Sequence, residues 1–422
     1  MSTLSAIEPS VSRLLLADVE LVPGARRAAE GEGVASGQTM ISVESAGCDG
    51  LGQIEAEWRD LIARAHEPNV FMDPALVRIA GLGLSDERCV TLLAWQSNTH
   101  EKRLVGLWAF SVGRLRRSAV PVRVLQAPVA PHAYLATPVV DRAVADSALN
   151  AMLDFIVLDR TLPKLIVADP IRTDGPTMQA LNRVLDARSS SAFTMTQVQR
   201  PILASSLDGK QYFEKAQSSS SRKKLRQHRR RLEETGKLDV TVADAPDAVD
   251  AAFDEFLQLE AAGWKGQNAT ALLSDPADAT FARQMIAALA KRGNAAIHSL
   301  RRDGRPVSMQ IVLRAGSVAF TWKTAYDEAL RDFSPGMLLL EDYTKAFLSD
   351  RSIAWVDSCA IDDTSYMSAW MERQTIAQVW INARPGRSVR FQALCQVQKS
   401  FLRLRSVAKA GYLSWRAKWK TH

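Results

Sequence analysis

The chain has 422 residues, of which 47% are hydrophobic and 23% charged, and its formal net charge is +7. This length fits two domains of ordinary size, and the composition excludes wholesale disorder. The sequence contains no apolar run of the roughly 18 residues that a membrane-spanning helix requires. The charge is uneven, because residues 374–422 contain ten Lys or Arg and no acid, which leaves −3 for residues 1–373.

The four cysteines, Cys48, Cys89, Cys359 and Cys395, lie far apart in the sequence and show no paired spacing. This pattern argues against a disulfide framework and against a structural zinc site. The six histidines form no ligand pattern either, so no metal is expected. We therefore expect a reducing compartment, the cytoplasm.

The first half begins with residues 1–40, whose glycines and serines indicate a flexible lead-in. A helix is predicted around Trp58, where apolar residues recur at spacings of three and four. Two apolar runs, Val90–Trp95 and Leu104–Phe110, then flank a polar turn and predict a β-hairpin.

The second half repeats this order of elements. A helix is predicted up to Trp264, and three strands follow at Ala295–Leu300, Val307–Leu313 and Val318–Thr324. In both halves a helix ending near a tryptophan precedes a hairpin by roughly thirty residues, which indicates duplication. Residues 201–210 are expected to join the two halves.

The most informative segment is the junction between the last of these strands and the next helix, which begins Ser334, Pro335, Gly336, Met337 and Leu338. Ser334 can cap this helix, Pro335 suits its first position, and Gly336 leaves space for a close approach. Free amides and the positive end of the helix dipole make an anion site of the kind that pyrophosphate occupies. The same Ser-Pro-Gly sequence begins many helices that bind nothing, so both interpretations stay open on this pattern alone.

Four fragments occur in one order along the second half: Trp264–Gly266, Trp322–Asp327, Phe333–Leu339 and Trp355–Ala360. Together they resemble the CelD/BcsL branch of the GNAT superfamily, acetyltransferases associated with cellulose and exopolysaccharide synthesis. That branch is related to the FemAB-type peptidoglycan-bridge enzymes, which carry two GNAT folds in one chain. The resemblance is sharp over about residues 210–380 and weaker in the first half.

The resemblance implies an α/β fold, with an α+β mixed sheet, in two tandem GNAT-like domains at residues 41–200 and 201–385. The flexible lead-in would precede them, and a basic amphipathic tail, residues 386–422, would follow. The second domain would bind the donor and the acceptor, and the first would complete the acceptor groove.

The resemblance also implies transfer of an acyl group, most simply acetyl from acetyl-CoA, to an amine or hydroxyl of a small molecule or glycan. The pyrophosphate would bind the amides of Ser334–Leu338, and catalysis would rest on positioning, backbone donors and a base. GNAT enzymes commonly show Gln/Arg-x-x-Gly-x-Gly/Ala at this turn, whereas residues 331–340 contain one glycine. This departure keeps open a larger donor, aminoacyl-tRNA, as the FemAB relatives use.

Three residues are candidates for catalysis. Asp327 and Tyr326 follow a strand, and Asp327 could serve as a base, although a turn-forming aspartate is equally expected there. Asp357 would lie at the C-terminal end of a strand, where the sites of α/β proteins gather, although an ordinary loop carboxylate fits as well.

The acceptor pocket would be shaped by Trp264, Lys265 and Lys323. Trp264 also suits the core, and Lys323, which could hold substrate anions, also suits an exposed strand edge. Cys359 is expected to be a buried thiol, because no histidine is close to it in the sequence.

Two basic segments remain. The cluster Arg222–Arg231 follows capping serines and suits a solvated helix face, contact with an anionic polymer or the CoA nucleotide, or, least of all, RNA. Residues 394–422 repeat apolar residues at helical spacing among cations, with Tyr412, Trp415 and Trp419 near the end. Such a helix could lie on the inner face of an anionic membrane or pack on the domain.

A non-enzymatic GNAT scaffold that docks on a membrane or a synthase complex is therefore a further alternative.

Overall fold

The computed structural model describes residues 40–83, 88–97, 102–115, 118–361, 363 and 366–419. The predicted lead-in, residues 1–40, lies outside the described residues except for Met40. Within the described part of the chain, no helix combines the length and apolarity that a membrane crossing requires.

The first half contains seven strands and four α-helices in the described residues. In chain order they are β1 Met40–Ala46, α1 Glu55–Arg64, α2 Pro74–Leu82, β2 Arg88–Ser97, β3 Lys102–Arg114, β4 Arg123–Ala127, β5 Val139–Val140, α3 Ala145–Leu158, β6 Leu165–Arg172, α4 Pro176–Ala187 and β7 Ala192–Leu203.

The second half adds six strands and six α-helices among the described residues, and a long C-terminal helix follows. They are α5 Gly209–Ala216, α6 Ser219–Glu233, β8 Leu238–Ala243, α7 Pro246–Ala262, α8 Trp264–Gln267, α9 Pro276–Ala290, β9 Ala295–Arg302, β10 Arg305–Ala315, β11 Val318–Tyr326, α10 Pro335–Ser349, β12 Trp355–Asp357, β13 Glu372–Asn382 and α11 Val389–Trp419.

All thirteen strands belong to one mixed sheet, which confirms the predicted fold class. The order is β1-β2-β3-β4-β6-β13-β7-β12-β11-β10-β9-β8, and β5 pairs with β3. This order is mirrored about its centre, with one parallel pair in each half, β4–β6 and β11–β12. The last strand of each half pairs with the other half, β13 with β6 and β7 with β12. A division of the chain near residue 200 therefore does not divide the sheet.

The predicted hairpins are confirmed. β2 pairs antiparallel with β3, and β9, β10 and β11 form an antiparallel meander. Asp303 and Gly304 both have positive φ in the tight turn between β9 and β10, as a two-residue hairpin requires. Ser218 caps α6 by accepting a hydrogen bond from the amide of Ser221, as predicted. The central strands are almost wholly buried, since helices cover both faces of the sheet.

The segment of residues 128–140, which we call the bridging segment, fills the space beyond β4 in the first half. The amide of Ala136 donates to the carbonyl of Pro170 on β6, and Val139 and Val140 pair with β3. Asn69, itself buried, donates to two carbonyls of the segment, those of Leu135 and Thr137. The cleft between the strands of the first half is therefore occupied by the chain itself.

A buried ion pair ties the two halves together where β7 meets β12. Arg200 and Asp357 are 1% and 0% exposed, and their nearest charged atoms are 3.4 Å apart. Arg200 also donates from Nε to the carbonyl of Ala360 and from Nη1 to the carbonyl of Tyr134. One guanidinium thus joins the bridging segment of the first half to the end of β12 in the second.

The cysteines correct one expectation from the sequence. Cys89, on β2, is disulfide-bonded, so separation along the chain was a poor guide to pairing in space. Cys359 and Cys395 are free and buried.

The C-terminal helix α11 is confirmed, and it starts before residue 394. Phe391 and Cys395 pack against buried residues of the first half, and the side-chain oxygen of Gln398 accepts a hydrogen bond from the amide of Ala119. Farther along, Leu404 is 71% and Val407 70% exposed. The side chains of Tyr412, Trp415 and Trp419 lie outside those that the structure describes.

Asp357→Asn should lower the free energy of unfolding by about 3–5 kcal/mol, because it leaves the charge of Arg200 buried without a counter-charge. Urea unfolding followed by tryptophan fluorescence measures this. Glu55→Gln is the matched control, since its pair with Arg59 is exposed and contributes less than about 1 kcal/mol. Equal stability of the two variants would contradict the assignment.

Candidate functional site

The candidate site lies where the parallel strands β11 and β12 separate. They pair only from Val318 with Trp355 to Phe320 with Asp357, after which β12 ends and β11 continues to Tyr326. The chain turns away through Cys359, which has a positive φ. An opening at the C-terminal end of adjacent parallel strands is a common place for a binding site.

A β-bulge lies on β11 at the same level. Ile311 of β10 faces Lys323 and Val312 faces Thr321, so Trp322 is the additional residue. A bulge interrupts the ladder and redirects side chains, and bulges are frequent beside active sites.

Three cavities meet at Tyr366. We call them the central, side and helix pockets, and their volumes are about 350, 280 and 360 Å³. The central pocket is lined by Lys323, Trp264 and Cys359 among others, and the side pocket by Trp264 and Tyr326. The helix pocket lies at the start of α10. The three pockets together connect the helix N-terminus to the separated strands.

Tyr366 and Gln310 are site residues that the sequence analysis missed. The hydroxyl of Tyr366 donates to Oε1 of Gln310 at 3.3 Å, and burial raises the pKa of the phenol. The amide nitrogen of Gln310 donates to the carbonyls of Ile311 and Lys323, both at 2.9 Å. A polar residue inside the apolar strand run Val307–Leu313 was the available signal for Gln310. No local pattern marks Tyr366.

The start of α10 differs in detail from its prediction. Pro335 is in the first turn as predicted, but Ser334 adopts a left-handed conformation and its side chain makes no capping bond. The amides of Ser334, Met337 and Leu338 bond to carbonyls of the chain, to Arg331 in the first case and to Ser334 in the other two. The amide of Gly336 has no acceptor among the described residues. The predicted cradle of several free amides is thus reduced to one.

The space beside that amide is open, and a pocket with basic side chains adjoins the first turn of α10. A Cβ built on Gly336 meets no atom within 4 Å, so the approach is open. The helix pocket is lined by Lys224 and His228 of α6 as well as by Ser334 and Met337. Nδ1 of His228 is buried and has no hydrogen-bond partner among the described residues.

The basic helix α6 is held against α10 by its own cations. Arg229 bonds to Asp342 at 2.8 Å, and Arg231 lies over the ring of Phe333 at 5.4 Å. Burial and the neighbouring Lys224 lower the pKa of the His228 imidazole, while the backbone of Phe333 acts in the opposite direction. This helix therefore forms one wall of the helix pocket, besides being partly solvated.

Lys323 is the cation nearest the bridging segment. Its Nζ lies 3.5 Å from Nδ1 of His132, and Nε2 of His132 lies 2.8 Å from a carboxylate oxygen of Asp278 on α9. The indole of Trp322 donates to the carbonyl of His132 at 2.8 Å. Burial lowers the pKa of Lys323 to about 8, against the attraction of Glu260.

Lys265 and Trp264 stand between the central and side pockets. Nζ of Lys265 bonds to Glu260 at 2.9 Å and to the carbonyl of Thr324 at 2.8 Å. Glu260 is 2% exposed and also accepts from the amide of Leu272. Trp264 is 48% exposed, so it lines the pockets and is not a core residue.

The three predicted catalytic residues lie in different environments. Asp327 caps a 3₁₀-helix by accepting from the amide of Ala329, and it does not line the pockets described here. Tyr326 lines the side pocket. Asp357 is fully buried and accepts from the amide of Cys359 and from Gln374 in addition to Arg200, so it positions the turn and does not face the pocket.

Cys359 lines the central pocket but is buried, and burial raises the pKa of its thiol well above the usual value. It is therefore the buried thiol that the sequence indicated. Among the described residues, no group of three His, Cys, Asp or Glu side chains is placed to hold a metal ion.

Residues 219–366 match the family model described as acetyltransferase (GNAT) domain. No curated protein matches the sequence. The crystal structure of FemX is similar, with 12% identity, 78% of this chain and 95% of that chain covered, and a TM-score of 0.52. The C-terminal domain of a putative lysylphosphatidylglycerol synthetase from Agrobacterium fabrum is 13% identical. That match covers 83% of this chain and 97% of that chain, with a TM-score of 0.47. A tandem GNAT protein from the clavulanic acid biosynthesis pathway is 13% identical. That match covers 82% of this chain and 100% of that chain, with a TM-score of 0.39.

Residues 219–366 thus match a GNAT acetyltransferase domain, and the chain shares the fold of FemX. The matched range runs from α6 to Tyr366 and so contains all of α10, β11 and β12. The mirrored strand order agrees with the predicted fold class of two similar halves in tandem.

The packing of α10 on the sheet should make the stability of the protein sensitive to acid. His298 on β9 contacts Tyr343 and Phe347 of α10, and burial lowers the pKa of its imidazole to about 4. The unfolded chain takes up this proton near pH 6.5, so stability should fall as the pH drops from about 6.5 towards 4, by about 3 kcal/mol. The free energy of unfolding is measured for the wild type and for His298→Leu at neutral and at acid pH. Because the other titrating groups are the same in the two proteins, the difference in acid loss reports His298. An equal acid loss in both chains would contradict it.

Proposed function

We propose that the protein transfers an acyl group, most simply acetyl, from acyl-CoA to an amine or hydroxyl acceptor. The observation that carries this proposal is the meeting of the three pockets at Tyr366. A thioester lying between the separated strands would have its phosphates at α10 and its reacting carbon beside the central pocket. Residues 201–385 would supply most of the site, and residues 41–200 would complete the acceptor groove.

The helix pocket fits the phosphates of CoA. The free amide of Gly336, at the positive end of α10, would donate to one phosphate oxygen. Lys224 and the unpaired Nδ1 of His228 face the same pocket and would replace the donors that Ser334, Met337 and Leu338 do not supply. The reduced number of free amides would thus be offset by side-chain nitrogens.

The chain's own residues can perform the remaining chemistry. The central pocket would position the acceptor against the thioester, which removes much of the entropic barrier. Tyr366 keeps its proton because burial raises the pKa of its phenol, and it could deliver that proton to the leaving thiolate. CoA, when bound, supplies the activated acyl group.

The finer assignment is to the CelD/BcsL type, with a small-molecule or glycan acceptor in exopolysaccharide or cell-envelope biosynthesis. It is supported by the order of the four sequence fragments and by Trp264, whose exposed ring suits contact with a sugar. We further propose that α11 contacts an anionic membrane surface, because Leu404 and Val407 are exposed beside cations.

A second candidate donor is aminoacyl-tRNA. The helix pocket adjoins a further pocket between α5, α6 and α10, which is lined by Lys210, Arg222 and Arg226. This cationic surface extends beyond what a pyrophosphate needs. Neutralising Lys224 and Arg226 tests for RNA, since Arg229 is already paired with Asp342. Binding to RNA that weakens steeply with salt and is lost in this variant would favour the second donor.

Gly336→Glu should weaken CoA binding at least about tenfold, because a carboxylate would project into the phosphate position. A Cβ at position 336 has no atom within 4 Å, so the fold should survive. Isothermal titration calorimetry with CoA measures the affinity. Gly52→Glu is the control, since its Cβ position is equally open but lies in the first half. Equal affinities of both variants and wild type would place the phosphates elsewhere.

CoA should bind with a stoichiometry of about one per chain, although the chain carries two GNAT-like halves. The bridging segment fills the cleft of the first half, and its amide at Ala136 is already bonded to Pro170. The same titration reports the number of sites, and two equivalent sites would show that the segment moves aside.

A further inference from the structure

The cluster of Lys323, His132 and Asp278 is separate from the groups that would bind phosphate or protonate the thiolate. It combines residues from three elements: β11, the bridging segment of the first half, and α9. Lys323 lines the central pocket, in which the acceptor would lie.

We propose that Lys323 is the proton acceptor for the attacking amine or hydroxyl, and that His132 and Asp278 position it and pass the proton on to solvent. This inference rests on the proposed acyl transfer and names the base of that site. The first half then supplies part of the catalytic apparatus as well as a wall.

The distances define the order in which a proton would pass, from Lys323 to His132 and then to Asp278. A carboxylate oxygen of Asp278 lies 2.8 Å from Nε2 of His132. With the imidazole proton on Nε2, Nδ1 would be the acceptor that faces Nζ of Lys323. A neutral Lys323 that donates one hydrogen to Nδ1 directs its lone pair away from His132 and towards the pocket. Asp278 is 31% exposed, so a proton that reaches this end can leave to water.

The surroundings of Lys323 bring its pKa down to about 8, so a fraction of the amine is neutral at neutral pH. Burial is the main cause of the lowering and Lys265 on α8 adds to it, while Glu260 on α7 and Asp278 on α9 act in the opposite direction. Burial also lowers the pKa of His132, so the imidazole is neutral at the working pH and can accept a proton. A base that titrates near the working pH is the efficient case for general base catalysis.

The step balances without a further reactant. As the acceptor attacks the thioester carbon, its proton passes to Nζ of Lys323, a C–N or C–O bond forms, and the C–S bond breaks. The thiolate takes a proton from Tyr366, which regains one from solvent, while Lys323 releases its proton through His132. The sum is acceptor plus acyl thioester giving acylated acceptor plus thiol.

Competitive labelling with trace acetic anhydride tests the base directly and needs neither donor nor acceptor. Labelling of Lys323, followed by peptide mass spectrometry, should rise with a midpoint near pH 8, whereas a free lysine peptide added as reference rises near about 10.4. A midpoint of Lys323 equal to that of the reference peptide would overturn the proposal.

Two variants test the partners in the same experiment. Asp278→Asn removes an attraction and His132→Asn removes an acceptor, so each should lower the midpoint of Lys323 by about half a unit or more. Asparagine suits position 132 because the backbone there has positive φ. Asp254→Asn, at an exposed carboxylate on α7, is the control and should leave the midpoint unchanged. Unchanged midpoints in both test variants would exclude the chain of groups.

Lys323→Arg separates catalysis from binding. It keeps the charge but cannot deprotonate, so acetyl-CoA hydrolysis with water as acceptor should fall about 100-fold or more while the Kd for CoA stays unchanged. Wild-type turnover in this variant would overturn the role of Lys323 and leave the proposed function standing. A wild-type chain that binds no CoA would instead remove the proposed function, and with it this role, whatever the labelling shows.

Discussion

The guanidinium of Arg200 is the constraint on which the candidate site depends. It is buried at the centre of the sheet and donates both to Tyr134 of the bridging segment and to Ala360 after β12. Both of those residues line the central pocket. A buried charge must be paired and hydrogen-bonded, so Asp357 is required to hold it. The pocket keeps its shape because moving either wall would leave this charge unsatisfied.

The exchanged strands make the two halves mutually dependent. Since β13 lies between β6 and β7, neither half owns a complete sheet. The two halves also differ in whether the cleft between their parallel strands is open. In the second half the strands separate and leave a pocket, whereas in the first half the bridging segment fills the cleft and presents His132 and Tyr134 to the pocket of its neighbour. A domain without its own open cleft thus completes the site of the other.

Features that depend on local pattern could be predicted from the sequence. The apolar runs of β9, β10 and β11, the serine cap of α6 and the proline at the start of α10 are all local, and all are confirmed. The ordered fragments of the second half also located the junction at α10. Lys265, Lys323 and Trp264 were found because they lie within those fragments.

Features that depend on contacts between distant segments could not be predicted. His132 lies 191 residues from Lys323, and Arg200 lies 157 from Asp357. Asp357 follows a strand as expected, but its burial against Arg200 makes it structural, which position alone does not reveal. The pairing of the amides at Ser334, Met337 and Leu338 depends on the left-handed turn at Ser334, for which serine gives no signal. Tyr366 lies 56 residues from Gln310, its hydrogen-bond partner in the site.

The central claim is that an acyl-CoA donor lies across the second half, between α6 and α10 and along the separated strands. Hydrogen–deuterium exchange of the whole chain, with and without saturating CoA, tests it most directly. We expect slower exchange in peptides covering residues 221–228 and 334–340, and unchanged exchange in the corresponding region of the first half, residues 123–146. Protection confined to 123–146, or no protection in either region, would contradict the claim.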